Sequence, residues 1–352
     1  MEAERDRFAG LQSALRGPER RPWFESIRNG YTLAFILHAL LECGALKALR
    51  DVGDEGLTCN ELAEKCGLDA ALLSGVLNYL VVADSVVVRD GEKFRLGSRG
   101  TWAFDEHVIS GLGVIIDAYG CVMQELLPAL KKEKRYGVDF VRSGKHVAEV
   151  SIRTSRKNQQ VVVRECNRLG ITKLVDLGCG AAGVIIALLR SGPKMRCVGL
   201  EIDDDALNYA RDNVVAAGLA DRVAFVAGDM GKPEEFANKP EMQDVQAFNC
   251  IMVLHELLRN GEEAVVDLLR RYKKLFPGRY FFLGEVCAWT DDDYRKTDPL
   301  DIGRLWYQHL MHPLSLQGLP VSHDTWMSIF SRASVEFIGV TRLFADQYVL
   351  KF

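Results

Sequence analysis

From Ile171 onward the chain alternates short β-branched and aliphatic runs with helical patterns. The first run, Leu174-Val175-Asp176-Leu177, passes directly into Gly178-Cys179-Gly180-Ala181-Ala182-Gly183. The runs are KLVDLG, MRCVGLEI, RVAFVAGD, FNCIMVL and YFFLGEV. Continuously apolar strands are buried on both faces, and strands separated by helices pair in parallel, because a parallel crossover needs a dozen or more residues. The pattern therefore predicts an α/β class, a doubly wound sheet with helices on both sides. RASVEFIGVTRL and ADQYVLKF read as a closing antiparallel pair.

The first hundred residues follow a different grammar. Residues 1 to about 22 are rich in Arg and Glu and read as a charged lead-in helix or arm. From Tyr31 to Leu49, LAFILHALLECGALKAL repeats apolar residues at helical spacing, with a break at Gly53 and Gly56. Thr58 and Glu61 form a capping box ahead of a second helix, and Asp69 caps a third. VVVRD and KFRLG around Asp90-Gly91 predict a hairpin. Three helices and a hairpin make a winged helix. Its third helix, Asp69 to Ala83, carries no Lys or Arg, so a role in the major groove is disfavoured and packing against a second copy is expected. Residues 101–170 read as a helical linker that includes the turn KKEKRYG and a long helix from Lys145 to Leu169. The expected domains are thus a winged helix over 1–100, the linker over 101–170 and the α/β domain over 171–352.

Composition closes several alternatives. The 352 residues are 48% apolar and 26% charged, which excludes intrinsic disorder. A net charge of −4 gives no general pull toward nucleic acid or an anionic membrane. Nine cysteines without a C-x-x-C pair fit reduced thiols in a cytoplasm better than a disulfide framework or zinc knuckle. His38, Glu42 and Lys47 interrupt the most apolar stretch, and MEAERDRFAG does not resemble a signal peptide.

The glycine turn lets a ligand approach the backbone and the exposed N–H groups of a helix start. No Gly-Lys-Ser or Gly-Lys-Thr follows, so it is not a phosphate-binding P-loop. The second strand ends at Glu201, 25 residues after Asp176, where a carboxylate accepts ribose hydroxyls. The third ends in Gly228-Asp229-Met230, which places another carboxylate at the same edge, near an adenine amino group. Asp176 would repel a diphosphate but suits an ammonium group, and an adenosyl amino acid without phosphate is S-adenosylmethionine. The run D-L-G-C-G-A-A-G, then G-L-E-I-D, then A-G-D-M resembles the class I S-adenosylmethionine-dependent methyltransferases, with a Rossmann-like sheet. The family's third glycine falls at Ala182, with Gly183 one place late. The resemblance implies cofactor contacts at Asp176, Gly178, Gly180, Glu201, Asp229 and Met230.

With its winged-helix N-terminal region, the chain is similar to the small-molecule O-methyltransferases of secondary metabolism, which include antibiotic biosynthesis and are usually homodimers. The fourth strand leads to His255-Glu256 at the carboxyl edge of the sheet, where α/β proteins bind ligands. By resemblance His255 is the general base for a hydroxyl acceptor, with Glu256 beside it as a second catalytic candidate. The sequence after His255 departs from that family, and His309 and His312 follow in LWYQHLMHPLSLQG. Three residues apart on an α-helix, they would share a face. His255 with one of them could bind a divalent or trivalent metal, iron or zinc. This resembles metal-dependent C-methyltransferases acting on the β-carbon of α-keto acids, where a chelated metal stabilises the enolate. That reading is preferred here, with metal-free O-methylation of a phenol or enol as the alternative and a non-catalytic regulator as the remote one. Arg153 and Arg156, with Arg142 as a rival, are candidates for a substrate carboxylate, and Glu285 for orienting His255 or holding a ligand. Trp102, Trp306 and Tyr307 are candidate walls of the acceptor site.

Overall fold

The computed structural model describes residues 20–290, 293 and 306–352. The reading of residues 1–19 as a charged arm lies outside them, as do the side chains of Arg153 and Tyr307. The chain divides into two compact units after Ile116.

In the first unit, α1 (Arg20–Glu42) and α2 (Ala45–Val52) replace the single helix expected over Tyr31–Leu49. The break falls at Gly44, whose φ of 76° is left-handed and favours a residue without a Cβ. Then come β1 (Leu57–Thr58), α3 (Cys59–Cys66), α4 (Ala70–Ala83), the hairpin β2 (Val87–Asp90) and β3 (Lys93–Leu96), and α5 (Glu106–Leu112). Thr58 and Glu61 close their capping box in both directions, and the Asp69 side chain accepts from the Leu72 N–H. The small sheet has the order β1-β3-β2. Leu46, Leu49, Leu62, Leu77 and Leu80 form its fully buried centre. Along α1 only Leu40 is buried, while Trp23, Phe24, Ile27, Tyr31 and Phe35 are exposed.

The second unit begins with α6 (Gly120–Gln124) and α7 (Leu126–Leu130). The long helix expected from Lys145 is two helices, α8 (Gly144–Thr154) and α9 (Arg156–Leu169). At the break the Ser155 hydroxyl donates back to the Ser151 carbonyl at 2.5 Å, a bond that competes with the helix ladder. The sheet then alternates as read: β4 (Lys173–Leu177), α10 (Gly183–Ser191), β5 (Arg196–Glu201), α11 (Asp204–Ala216), β6 (Val223–Ala227), β7 (Ala247–Ile251), α12 (Glu262–Leu275), β8 (Tyr280–Glu285), α13 (His323–Arg332), β9 (Glu336–Thr341) and β10 (Asp346–Lys351).

The order across the sheet is β6-β5-β4-β7-β8-β10-β9, parallel except where β10 pairs antiparallel with β8 and β9. The chain reverses its direction of travel across the sheet between β4 and β7, which opens a crevice at their carboxyl ends. One face buries Val175, Leu177, Phe248, Leu269, Tyr272 and Trp326, and the other buries Leu174, Ile185, Leu188 and Phe282. This two-sided burial explains why the strands read as unbroken apolar runs.

Candidate active site

The ends of β4, β5, β6, β7 and β8, with the turns that follow them, carry Asp176, Gly178, Gly180, Glu201, Asp229, Met230, His255, Glu256 and Glu285. After β4 the chain turns through Gly178 (φ 69°), Gly180 (φ 50°) and Ala182 (φ 63°) before α10 starts. A Cβ at Gly178 would stand 2.8 Å from Val253 Cγ2, in the segment after β7, so close approach of the two loops requires glycine there. Ala182 occupies the third left-handed position at a cost of about 1–2 kcal/mol for an L residue. Gly183 has another role: an added Cβ would meet Gln159 Nε2 of α9 at 2.8 Å, so this glycine lets α9 and α10 pack.

Asp176 is buried, and its carboxylate accepts from Asn249 Nδ2 at 2.6 Å across the β4–β7 pair. Burial pushes its pKa up to about 7, opposed by the Asn249 hydrogen bond and reinforced by Glu201. Asn249 was not singled out from sequence, although a polar residue inside FNCIMVL was a legible anomaly. Glu201 accepts from the Gly180 N–H at 2.9 Å and from the Ile202 and Asp203 N–H groups at 2.9 and 3.3 Å. Asp229 accepts from the Gly231 N–H at 2.8 Å. The Met230 side chain turns into the core, with its sulfur 3.9 Å from Cys250 Sγ, and its carbonyl accepts from the Tyr272 hydroxyl at 2.9 Å.

The segment after β7 forms a 3-10 turn, Leu254–Asn260, which folds His255 back toward β8. His255 Nδ1 lies 2.7 Å from Glu285 Oε2, and the His255 backbone N–H donates to Glu285 Oε1 at 3.1 Å. Both residues are buried. Burial, the largest single influence, pulls the His255 pKa down, but the charge and hydrogen bond of Glu285 with the charge of Glu256 raise it above the ordinary value. With the Nδ1 proton held by Glu285, Nε2 carries the lone pair, and it is buried with no hydrogen-bond partner among the described residues.

Glu256 is differently engaged. Its Oε1 accepts from Arg142 Nη2 at 2.8 Å and from Gln317 Nε2 at 3.3 Å. Arg142 also donates to the Tyr119 hydroxyl at 3.1 Å. Burial opposes the guanidinium charge, but Tyr119 and Glu256 outweigh it and raise the Arg142 pKa. Of the three arginines considered, this one adjoins His255-Glu256, while Arg156 is exposed at the start of α9. The Arg142–Glu256 pair, 114 positions apart, was not visible in sequence.

The two later histidines do not share a face. Trp306–Met311 is a π-helix, and His312 begins the short helix that follows. The wider π turn moves residues three apart off a common stripe. His309 is exposed, while His312 is buried with its ring edge-on to His255 at 4.8 Å between centroids. Among the described residues no three His, Cys, Asp or Glu side chains come together as metal ligands. The expected centre of His255 with His309 or His312 therefore does not fit as a three-ligand protein site. Trp102 is exposed in the first unit, and Trp306 packs edge-on against Tyr119.

A methyltransferase-domain family matches residues 171–318, the stretch from the start of the parallel sheet through the turn after His312. That match agrees with the resemblance of the glycine turn and strand-tip carboxylates to the class I S-adenosylmethionine-dependent methyltransferases. The chain is 27% identical to the methyltransferase ungE' of Aspergillus campestris over 117 residues, 33% of each chain, so the match spans about a third of that relative. It matches the mitomycin 7-O-methyltransferase MmcR (TM-score 0.67, 17% identity, covering 97% of this chain and 99% of that one). It also matches human N-acetylserotonin methyltransferase bound to S-adenosylmethionine (TM-score 0.68, 16% identity, covering 96% and 98%). At such identities the structures establish a shared fold, which extends over the winged-helix unit as well as the sheet. No single helix among the described residues is long and apolar enough to cross a membrane.

Proposed function

We propose that this methyltransferase methylates a hydroxyl oxygen of a small phenol or enol, with His255 as general base and Glu285 as the group that orients it. The supporting observation is the buried His255–Glu285 pair, which commits Nδ1 and leaves Nε2 as a buried acceptor. The residues present also fit S-adenosylmethionine. Asp176, a buried carboxylate, would take its ammonium group, Glu201 its ribose hydroxyls and Asp229 its adenine, and Gly178 and Gly180 would leave room for its methionine part. When bound, that cofactor supplies an electrophilic methyl on a sulfonium.

His255 Nε2 would take the acceptor O–H proton, leaving the oxygen electron pair free for the methyl group that the bound cofactor would supply, with the sulfonium leaving as the neutral thioether. Glu285 fixes the tautomer and stabilises the imidazolium that forms, and burial of the pair excludes water from the proton transfer. Arg142, paired with Glu256, stands beside the base, where its remaining N–H groups can hydrogen-bond an oxygen of the acceptor.

A labelled-methyl assay over phenols, enols and keto acids tests this, with and without chelator. The expected result is a methyl on oxygen, insensitive to chelation, and a loss of roughly 10²–10⁴-fold in kcat for His255→Ala at unchanged cofactor affinity. Methylation on carbon that requires added metal would replace this reading with enolate chemistry. We further propose a homodimer through the exposed apolar row of α1.

A further inference from the structure

The turn that follows His312 touches the base and its neighbour at three points. An added Cβ at Gly318 would stand 1.9 Å from the His255 carbonyl oxygen, 2.6 Å from Leu258 Cβ and 2.8 Å from the Arg259 nitrogen. Two of those atoms are backbone of the 3-10 turn and cannot swing aside as a long side chain would. One residue earlier, Gln317 Nε2 donates to Glu256 Oε1 at 3.3 Å. At the start of the segment the His312 ring packs edge-on to the His255 ring.

The turn is built to hold this shape. The Ser315 hydroxyl donates to the Met311 carbonyl at 2.6 Å, the Gln317 N–H donates to the His312 carbonyl at 3.1 Å, and Leu316 sits at φ 48°, a left-handed strain for a non-glycine residue. Filling the core does not account for it, since Leu316 and Leu319 are exposed. Of the buried residues of the turn, Gln317 and Gly318 face Glu256 and His255.

We infer that Gly318 and Gln317 are positioning residues for the base: Gly318 seats the backbone of His255, and Gln317 fixes the Glu256 carboxylate that Arg142 grips from the other side. This inference rests on His255 being the base of the proposed reaction.

The test uses the full chain with Gly318→Ala and, because a displaced backbone can impair folding, Gln317→Met, which keeps the side-chain volume. Three readouts are taken: kcat with the best acceptor, calorimetric affinity for S-adenosylhomocysteine, and the 15N imidazole resonances of His255. Gly318→Ala is expected to lower kcat by roughly tenfold to a hundredfold and shift the His255 resonances, with cofactor affinity held within about twofold. Gln317→Met is expected to lower kcat severalfold with the same split. Wild-type kcat and unshifted resonances in the folded variants overturn the inference. If Gly318→Ala does not fold, Gln317→Met alone decides by the same criteria. If the wild type turns over no acceptor, the proposed function fails, and the imidazole resonances still decide whether the turn sets the position of His255.

Discussion

Asp176 holds a carboxylate where burial opposes its charge and a single amide supports it. An acid whose pKa rises on folding costs no stability below its unfolded value, near 4, and its full cost is felt above its folded value of about 7. Without cofactor the protein therefore loses stability from this group as pH rises between the two. Asp176→Asn is expected to raise the melting temperature of the cofactor-free protein at pH 8 by a few degrees, on the order of 2 kcal/mol. It also supplies a donor for Asn249 Oδ1, which is buried without a hydrogen-bond partner among the described residues. The same change is expected to weaken S-adenosylmethionine binding by about tenfold or more, measured by calorimetry. Stability gained with affinity lost is the expected signature of a functional carboxylate.

His255 titrates in the opposite sense. Its raised pKa means that the neutral, proton-accepting ring is depleted as pH falls through a value above 6.5, so kcat should show an acid limb there. Glu285→Gln removes the partner that raises the pKa and leaves burial, which lowers it. The limb is expected to move to lower pH while kcat itself falls, and an unmoved limb would show that Glu285 does not control the base. Strand periodicity made the positions of His255, Glu201 and Asp229 at the sheet's carboxyl edge legible in sequence. The partners were not legible, because Asn249, Arg142 and Gln317 are set by cross-strand register and by loops that meet only in the folded chain.

At the level of elements, the glycine turn and the α9–α10 contact are one construction. Gln159 Nε2 donates to the Ile152 carbonyl at 3.0 Å and to Ser155 Oγ at 2.9 Å, bridging the break between α8 and α9, and Gly183 lies directly beneath it. Gly183→Ala should displace that amide and cost about 1–2 kcal/mol, the penalty of disrupting buried hydrogen bonds. Ala182→Gly should be neutral or slightly stabilising, since relief of the left-handed strain competes with the added freedom of the unfolded chain. Urea melts of the two variants separate them, and equal losses would refute the division of labour. Strand positions were legible from periodicity, but the α8–α9 break and the π-helix were not. Both depend on which backbone groups find partners, and helical spacing alone assumes 3.6 residues per turn throughout.

Over the whole molecule, α1 exposes Trp23, Phe24, Ile27, Tyr31 and Phe35, a concentration of large apolar side chains that monomeric proteins rarely leave uncovered. The double variant Tyr31→Glu and Phe35→Glu is expected to turn a dimeric wild type into a monomer by sedimentation, and a monomeric wild type would remove the dimer from the proposal. What the sequence determined by itself was the α/β class, the winged helix ahead of it and the carboxylates at successive strand tips. These follow from local periodicity and from a sheet that brings every strand end to one edge. The tertiary structure alone decided which nitrogen of His255 is committed, that Glu256 answers Arg142, and that His309 and His312 part company. Such pairings depend on distances of a few ångströms between segments far apart in the chain, and no spacing along the sequence encodes them.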